Sequence, residues 1–170
     1  MDDIDESYRK PLLILRVGCV YAYLVFLLVL NASNIPLFDL GYSTPFFLLM
    51  GIYYWRLHKP YILPLPCVFL LGLTLDLITA MPAGLNAFSF LLIAFVLGGQ
   101  RRFLNGQAWP VLWVGFALAA ILVAVLHCLA FALLNWRWPG FSPVIVSVII
   151  SSLAYPLIAW PMIKLTRFFK

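Results

Sequence analysis

Six apolar runs, separated by short polar or proline-glycine breaks, make up most of the chain. The first extends from about Leu12 to Leu30, close to the roughly 20 residues a helix needs to cross a bilayer. Arg16 lies one turn inside it and can snorkel to the headgroups beside Arg9 and Lys10. Asn31 to Pro36 breaks that helix. The second run, 44–55, is short and closes on Tyr53, Tyr54 and Trp55, then Arg56, His58 and Lys59. The aromatic trio reads as an interfacial belt. So short a span requires shelter from lipid, local thinning of the bilayer, or a buried non-helical extension through 37–42. The third run, 61–80, has Pro64 and Pro66 in its first turns, where proline is tolerated. Met81-Pro82-Ala83-Gly84 predicts a tight turn into the fourth, 85–97, which Gly98 to Arg102 is expected to end. The fifth covers 109–134. The sixth, 143–166, is interrupted by Pro156 and Pro161 and exits through Lys164, Arg167 and Lys170.

This pattern predicts one all-α integral membrane domain over residues 1–170, with six transmembrane helices. Composition agrees: 65% of residues are hydrophobic and 10% charged, where a soluble domain carries roughly 25%. A core this small cannot hide that excess, and the mean hydropathy is +1.04. The net charge of +5 does not gather into a nucleic-acid-binding cluster; the basic residues fall between apolar runs, as topology signals do. Six spans put ten of the eleven Lys and Arg residues on one side and Arg137 on the other, which places both termini in the cytoplasm. The acidic start and the long first run predict a retained span rather than a cleaved signal peptide. Cys19, Cys67 and Cys128 stand alone in separate runs, with no disulfide framework. The outer loops are too short to form a domain, so a partner would be met largely within the membrane.

The candidate chemistry centres on Asp76, the one acid flanked on both sides by membrane-length apolar sequence. A carboxylate at the bilayer centre costs at least about 2.5 kcal/mol, so it requires compensation. The N–H groups near Leu85 to Ala87, just past the turn, carry partial positive charge and suit a carboxylate. The favoured reading is that Asp76 pins the turn; a proton or ion site and a direct partner contact stay open. His127 falls at similar depth in the fifth span and could pair with Asp76, whereas a lone membrane histidine is more often a satisfied hydrogen-bonder. Gly72, Asp76, Thr79 and Ala80 share one helix face, Ala117, Ala120, Ala124 and His127 another, and both predict close helix packing. Ser147, Ser151 and Ser152 can bond across helices. No nucleophile-elbow, zinc-protease, Cys-x-x-Cys or phosphate-loop pattern occurs in the chain. Catalytic, cofactor and metal sites are therefore not expected, nor is enzyme activity.

Three stretches carry a family resemblance. They are Pro45 to Trp55 followed by Pro60; Gly72 to Asp76, then Gly84 and the run to Arg101-Arg102; and Tyr155-Pro156 before a basic end. In order and spacing they resemble the bacterial rod shape-determining protein MreD family, over nearly the whole chain. The resemblance implies a non-enzymatic inner-membrane subunit of the elongation machinery. It would bind MreC directly within the bilayer, with MreB, RodA and a class B penicillin-binding protein in the wider complex. It also implies a bundle similar to the S-components of ECF vitamin transporters, so small-solute binding is the alternative. The positions implied as family features are Pro45, Tyr54, Trp55, Gly72, Asp76, Gly84, Tyr155 and Pro156.

Overall fold

The computed structural model describes residues 3–33, 45–104, 106–136 and 140–167. The expected extension through 37–42, the Asn34-Ile35-Pro36 part of the first break, Arg137 and Lys170 lie outside the described residues. So do the side chains of Arg9, Lys10, Arg102 and Arg167.

The described residues form six α-helices: α1 (Asp3–Ala32), α2 (Phe47–His58), α3 (Leu65–Ile78), α4 (Leu85–Leu104), α5 (Trp109–Asn135) and α6 (Phe141–Arg167). Three segments, Leu15–Ala32, Trp109–Asn135 and Ser142–Thr166, are long and apolar enough to cross a membrane. Leu65–Ile78 and Leu85–Arg101 are apolar but shorter.

The short α2 is the centre of the bundle and packs against α1, α4, α5 and α6. Leu48, Leu49, Met50, Ile52, Tyr53, Trp55 and Leu57 are fully buried. The shelter that so short a helix requires comes from protein. Gly51 makes this possible: a Cβ there would stand 2.8 Å from Leu24 and 2.9 Å from Leu27 of α1. The expectation of an aromatic belt at Tyr53, Tyr54 and Trp55 is corrected, because all three lie in the core. Tyr53 stands edge-on to Phe116 (5.6 Å between centroids) and to Tyr155 (5.8 Å), and donates to the Leu112 carbonyl at 3.1 Å. Tyr155 in turn stacks on Phe116 at 4.4 Å. Such ring pairs add about 0.5–1.5 kcal/mol each beyond the area they bury.

A second correction concerns α4, which runs through Gly98 and Gly99 to Leu104 instead of ending there. Glycine in a helix costs only about 1 kcal/mol relative to alanine. The added turns carry Arg101 to the end of α2, where its guanidinium donates to the Leu57 carbonyl at 3.1 Å and the His58 carbonyl at 3.5 Å. These are orphan acceptors at the negative end of a helix dipole, so the cation fits them. Arg56 similarly donates to the carbonyls of Leu63 (3.2 Å) and Ala94 (3.1 Å).

Proline positions follow the same bookkeeping of backbone groups. Pro66 sits in the first turn of α3, as the sequence predicts. Pro156 lies inside α6, where its missing N–H leaves the Ser152 carbonyl without a helical donor. The Trp113 indole of α5 donates to that carbonyl at 2.7 Å. Ser151 crosses helices as well: its hydroxyl donates to the Ser147 carbonyl at 2.6 Å and accepts the Phe46 N–H at 2.9 Å, at the start of α2.

Candidate functional site

The α3–α4 hairpin builds the polar centre. α3 ends at Ile78 with Ala80 in the left-handed region (φ 51°), and the Met81 N–H returns to the Asp76 carbonyl at 3.1 Å. That closing bond from the second residue past the cap is the Schellman arrangement. Gly84 follows at φ 99°, a conformation an L side chain resists, and turns the chain into α4. On the facing helix walls, Gly72 has no side chain because there is no room for one: a Cβ would lie 2.5 Å from the Ala87 Cα. The small residue therefore sets the α3–α4 spacing.

Asp76 is completely buried at this junction. Its Oδ2 accepts the Gly84 N–H at 2.9 Å and the Ala87 N–H at 3.3 Å. Its Oδ1 accepts the Asn86 N–H at 3.0 Å and the Asn86 side-chain amide at 2.8 Å. Three of these four donors are backbone groups at the start of α4, which lack helical acceptors of their own. The carboxylate caps a helix that begins nine residues further along the chain, at Leu85, and it places negative charge at the positive end of that helix.

Asn86 connects this cap to α5. Its Oδ1 faces His127 Nε2 at 3.2 Å, and His127 Nδ1 lies 2.8 Å from the Val123 carbonyl one turn earlier. Asp76 and His127 therefore do not pair directly; one amide stands between them. The Asn86 orientation is dictated by Asp76, which accepts from the amide nitrogen and so turns the amide oxygen toward the imidazole. Both imidazole nitrogens then face acceptors. Only the doubly protonated ring makes both bonds; a neutral ring makes one.

A cavity of about 690 Å³ adjoins this chain of side chains. Asn86, His127, Asn31 and Ser147 give its polar wall, and Phe46, Leu75, Phe131 and Val144 part of its apolar wall. The Phe46 ring stands 6.0 Å from the His127 ring, tilted at 46°. Asn31 Oδ1 accepts the Leu48 N–H at 3.2 Å, tying the end of α1 to the start of α2.

The other expected positions separate into three groups. Tyr54 and Tyr155 face a smaller cavity at the opposite end of the bundle, with Tyr54 hydrogen-bonded to Thr166 at 2.9 Å. Trp55 and Pro45 are buried around α2, and Pro156 shapes α6. Gly72, Gly84, Asp76 and His127 meet at the α3–α4–α5 junction. Of the expected small-residue faces, Gly72 and Asp76, and Ala120 and Ala124, are buried, whereas Ala80 is exposed. Sequence reasoning missed Asn86 and Trp113. Asn86 had a signal, as the first amide after the turn at a helix start; Trp113 could have been found by asking what serves the carbonyl that Pro156 orphans. Among the described residues, no three His, Cys, Asp or Glu side chains come together as a metal site would require. No family model, curated protein or solved structure matches the chain.

Proposed function

We propose that the chain is a six-span, multi-pass inner-membrane scaffold of the MreD type, with both termini cytoplasmic, that binds MreC within the bilayer and so supports peptidoglycan synthesis and rod shape. The observation that carries this reading is where the polar chemistry goes. All four hydrogen bonds to Asp76 come from the α3–α4 hairpin, and the Ser151 and Trp113 bonds likewise tie helix to helix. Meanwhile α3 and α5 expose large apolar side chains, among them Leu70, Leu77, Leu118, Val125 and Leu133. A protein built this way acts through apolar helix faces, which suits an adaptor that needs no catalysis. MreB, RodA and a class B penicillin-binding protein would join through the wider complex. Depletion in a rod-shaped host with no second copy tests the reading: cells should round up, and cells that keep their width and rod shape would refute it.

The 690 Å³ cavity favours a second reading, an S-component-like binder of a small solute. Its size falls within the roughly 300–1,000 Å³ of small-molecule sites, and it combines an apolar wall with a few polar groups. Saturable binding of a small molecule, weakened by His127→Leu, would bring this reading forward.

A further inference from the structure

We infer that the 690 Å³ cavity takes an uncharged solute with an apolar body and one acceptor oxygen, an amide or ketone carbonyl, held by the Asn31 amide N–H. The inference rests on the second reading above and names the chemical class which that reading leaves open.

Asn31 stands in the last turn of α1 and lines the cavity. It is only 8% exposed, and its Oδ1 is committed to the Leu48 N–H at 3.2 Å. The amide nitrogen, on the other side of the same planar group, donates to nothing among the described residues. Nor is it sealed inside protein, as Arg56 Nε is. An unpaired, unsealed donor on a side chain that lines a cavity has that cavity as its open side. A buried amide N–H without an acceptor is costly, and an oxygen in the cavity removes the cost. The other polar side chains of the wall are already spent. Asn86 donates to Asp76 at 2.8 Å, Thr79 to the Leu75 carbonyl at 2.7 Å and Asn135 to the Phe131 carbonyl at 3.1 Å. Both His127 nitrogens face acceptors, so the ring has no N–H to spare. Ser147 is engaged as well.

The electrostatics of the wall favour neither ion. Among the described residues, no Lys or Arg lines the cavity. Asp76, beyond Asn86, already accepts four hydrogen bonds, which fills its lone pairs. Helix ends of both signs border the space: α3 and α5 finish there, beside Thr79 and Asn135, and α6 begins there, beside Gly140. Their end charges oppose one another. An anion therefore meets no cation and a cation meets no free carboxylate, whereas a neutral carbonyl needs only the one donor that is open. The Phe46 and Phe131 rings, with Leu75 and Val144, wall the space for an apolar body.

The test is isothermal titration of the full-length protein in a neutral detergent, against matched empty micelles, with naphthaleneacetamide, naphthaleneacetate and naphthylethylammonium. The three share one ring system and differ in charge. Naphthaleneacetamide should bind saturably, and the two ions more weakly. Asn31→Asp keeps an oxygen for the Leu48 N–H and replaces the open donor with an acceptor. It should weaken naphthaleneacetamide about fivefold, the loss of one neutral hydrogen bond, and strengthen naphthylethylammonium. Val144→Phe, which fills the cavity from α6 and leaves Asn31 in place, should weaken all three, and serves if Asn31→Asp does not fold. Tightest binding by either ion would overturn the inference while the solute reading stands, and so would undiminished amide binding in Asn31→Asp. Undiminished binding in Val144→Phe would put the probes elsewhere and overturn it too. Saturable binding by none of the three would overturn the inference and the solute reading together.

Discussion

Asp76→Asn is the substitution the structure speaks to most sharply. Asparagine keeps the size of the side chain but offers one acceptor oxygen and one donor nitrogen. The four bonds to Asp76 divide two and two: Gly84 and Ala87 on Oδ2, and two from Asn86 on Oδ1. Whichever way the new amide turns, two donors face a donor. Each buried donor left unmatched costs about 1–3 kcal/mol. If the new amide nitrogen faces Asn86, the Asn86 side chain can flip and recover one bond, which turns its amide nitrogen toward His127 Nε2. The first turn of α4 also loses a charge at its positive end, a term of about 0.3–2 kcal/mol. Against these stands the desolvation that a neutral side chain avoids. The donors are already fixed by the turn, so the hydrogen-bond terms win, and the expected net loss is about 2–4 kcal/mol. Keeping the shape of Asp76 therefore does not make the change mild. Equilibrium unfolding in mixed micelles measures it, with Asp76→Ala, which strands all four donors, as the more damaging reference. Stability within about 0.5 kcal/mol of the parent, or above it, would refute the reasoning.

Gly72→Ala should be severely destabilising, because its Cβ would meet the Ala87 backbone at 2.5 Å; Gly99→Ala, with nothing within 4 Å, should be neutral or slightly stabilising in the same unfolding assay. Trp113→Phe should cost about 1–3 kcal/mol by orphaning the Ser152 carbonyl, and much less in a Pro156→Ala background, where a helical N–H returns; a double-mutant cycle reads the difference. Tyr155→Ala should cost about 3–5 kcal/mol through loss of its packing on Phe116 and Tyr53, whereas Tyr155→Phe should be near neutral because its hydroxyl makes no hydrogen bond among the described residues.

The sequence made the Asp76 cap legible because its parts are local: an acid, a proline-glycine turn and a helix start within about a dozen residues. The six helices were legible for a similar reason, since apolar runs and their breaks are read along the chain. What was not legible depended on distant partners. Tyr53, Tyr54 and Trp55 have the composition of a membrane belt, and hydropathy separates water from everything else but does not separate lipid from a protein core. The passage of α4 through Gly98 and Gly99 follows from what Arg101 reaches, two carbonyls on a helix 44 residues earlier. The bridge through Asn86 needed the donor and acceptor directions at both of its ends. In each case the missing information was three-dimensional pairing, and the residue types alone were ambiguous.

The central claim is that this bundle serves as an adaptor for a membrane-anchored partner. Purification of the tagged full-length protein in mild detergent, with mass spectrometry of what accompanies it, tests that claim most directly. The account predicts near-stoichiometric recovery of an MreC-like bitopic protein. Recovery of the protein alone, or with an energising transport module and its ATPases, would contradict it.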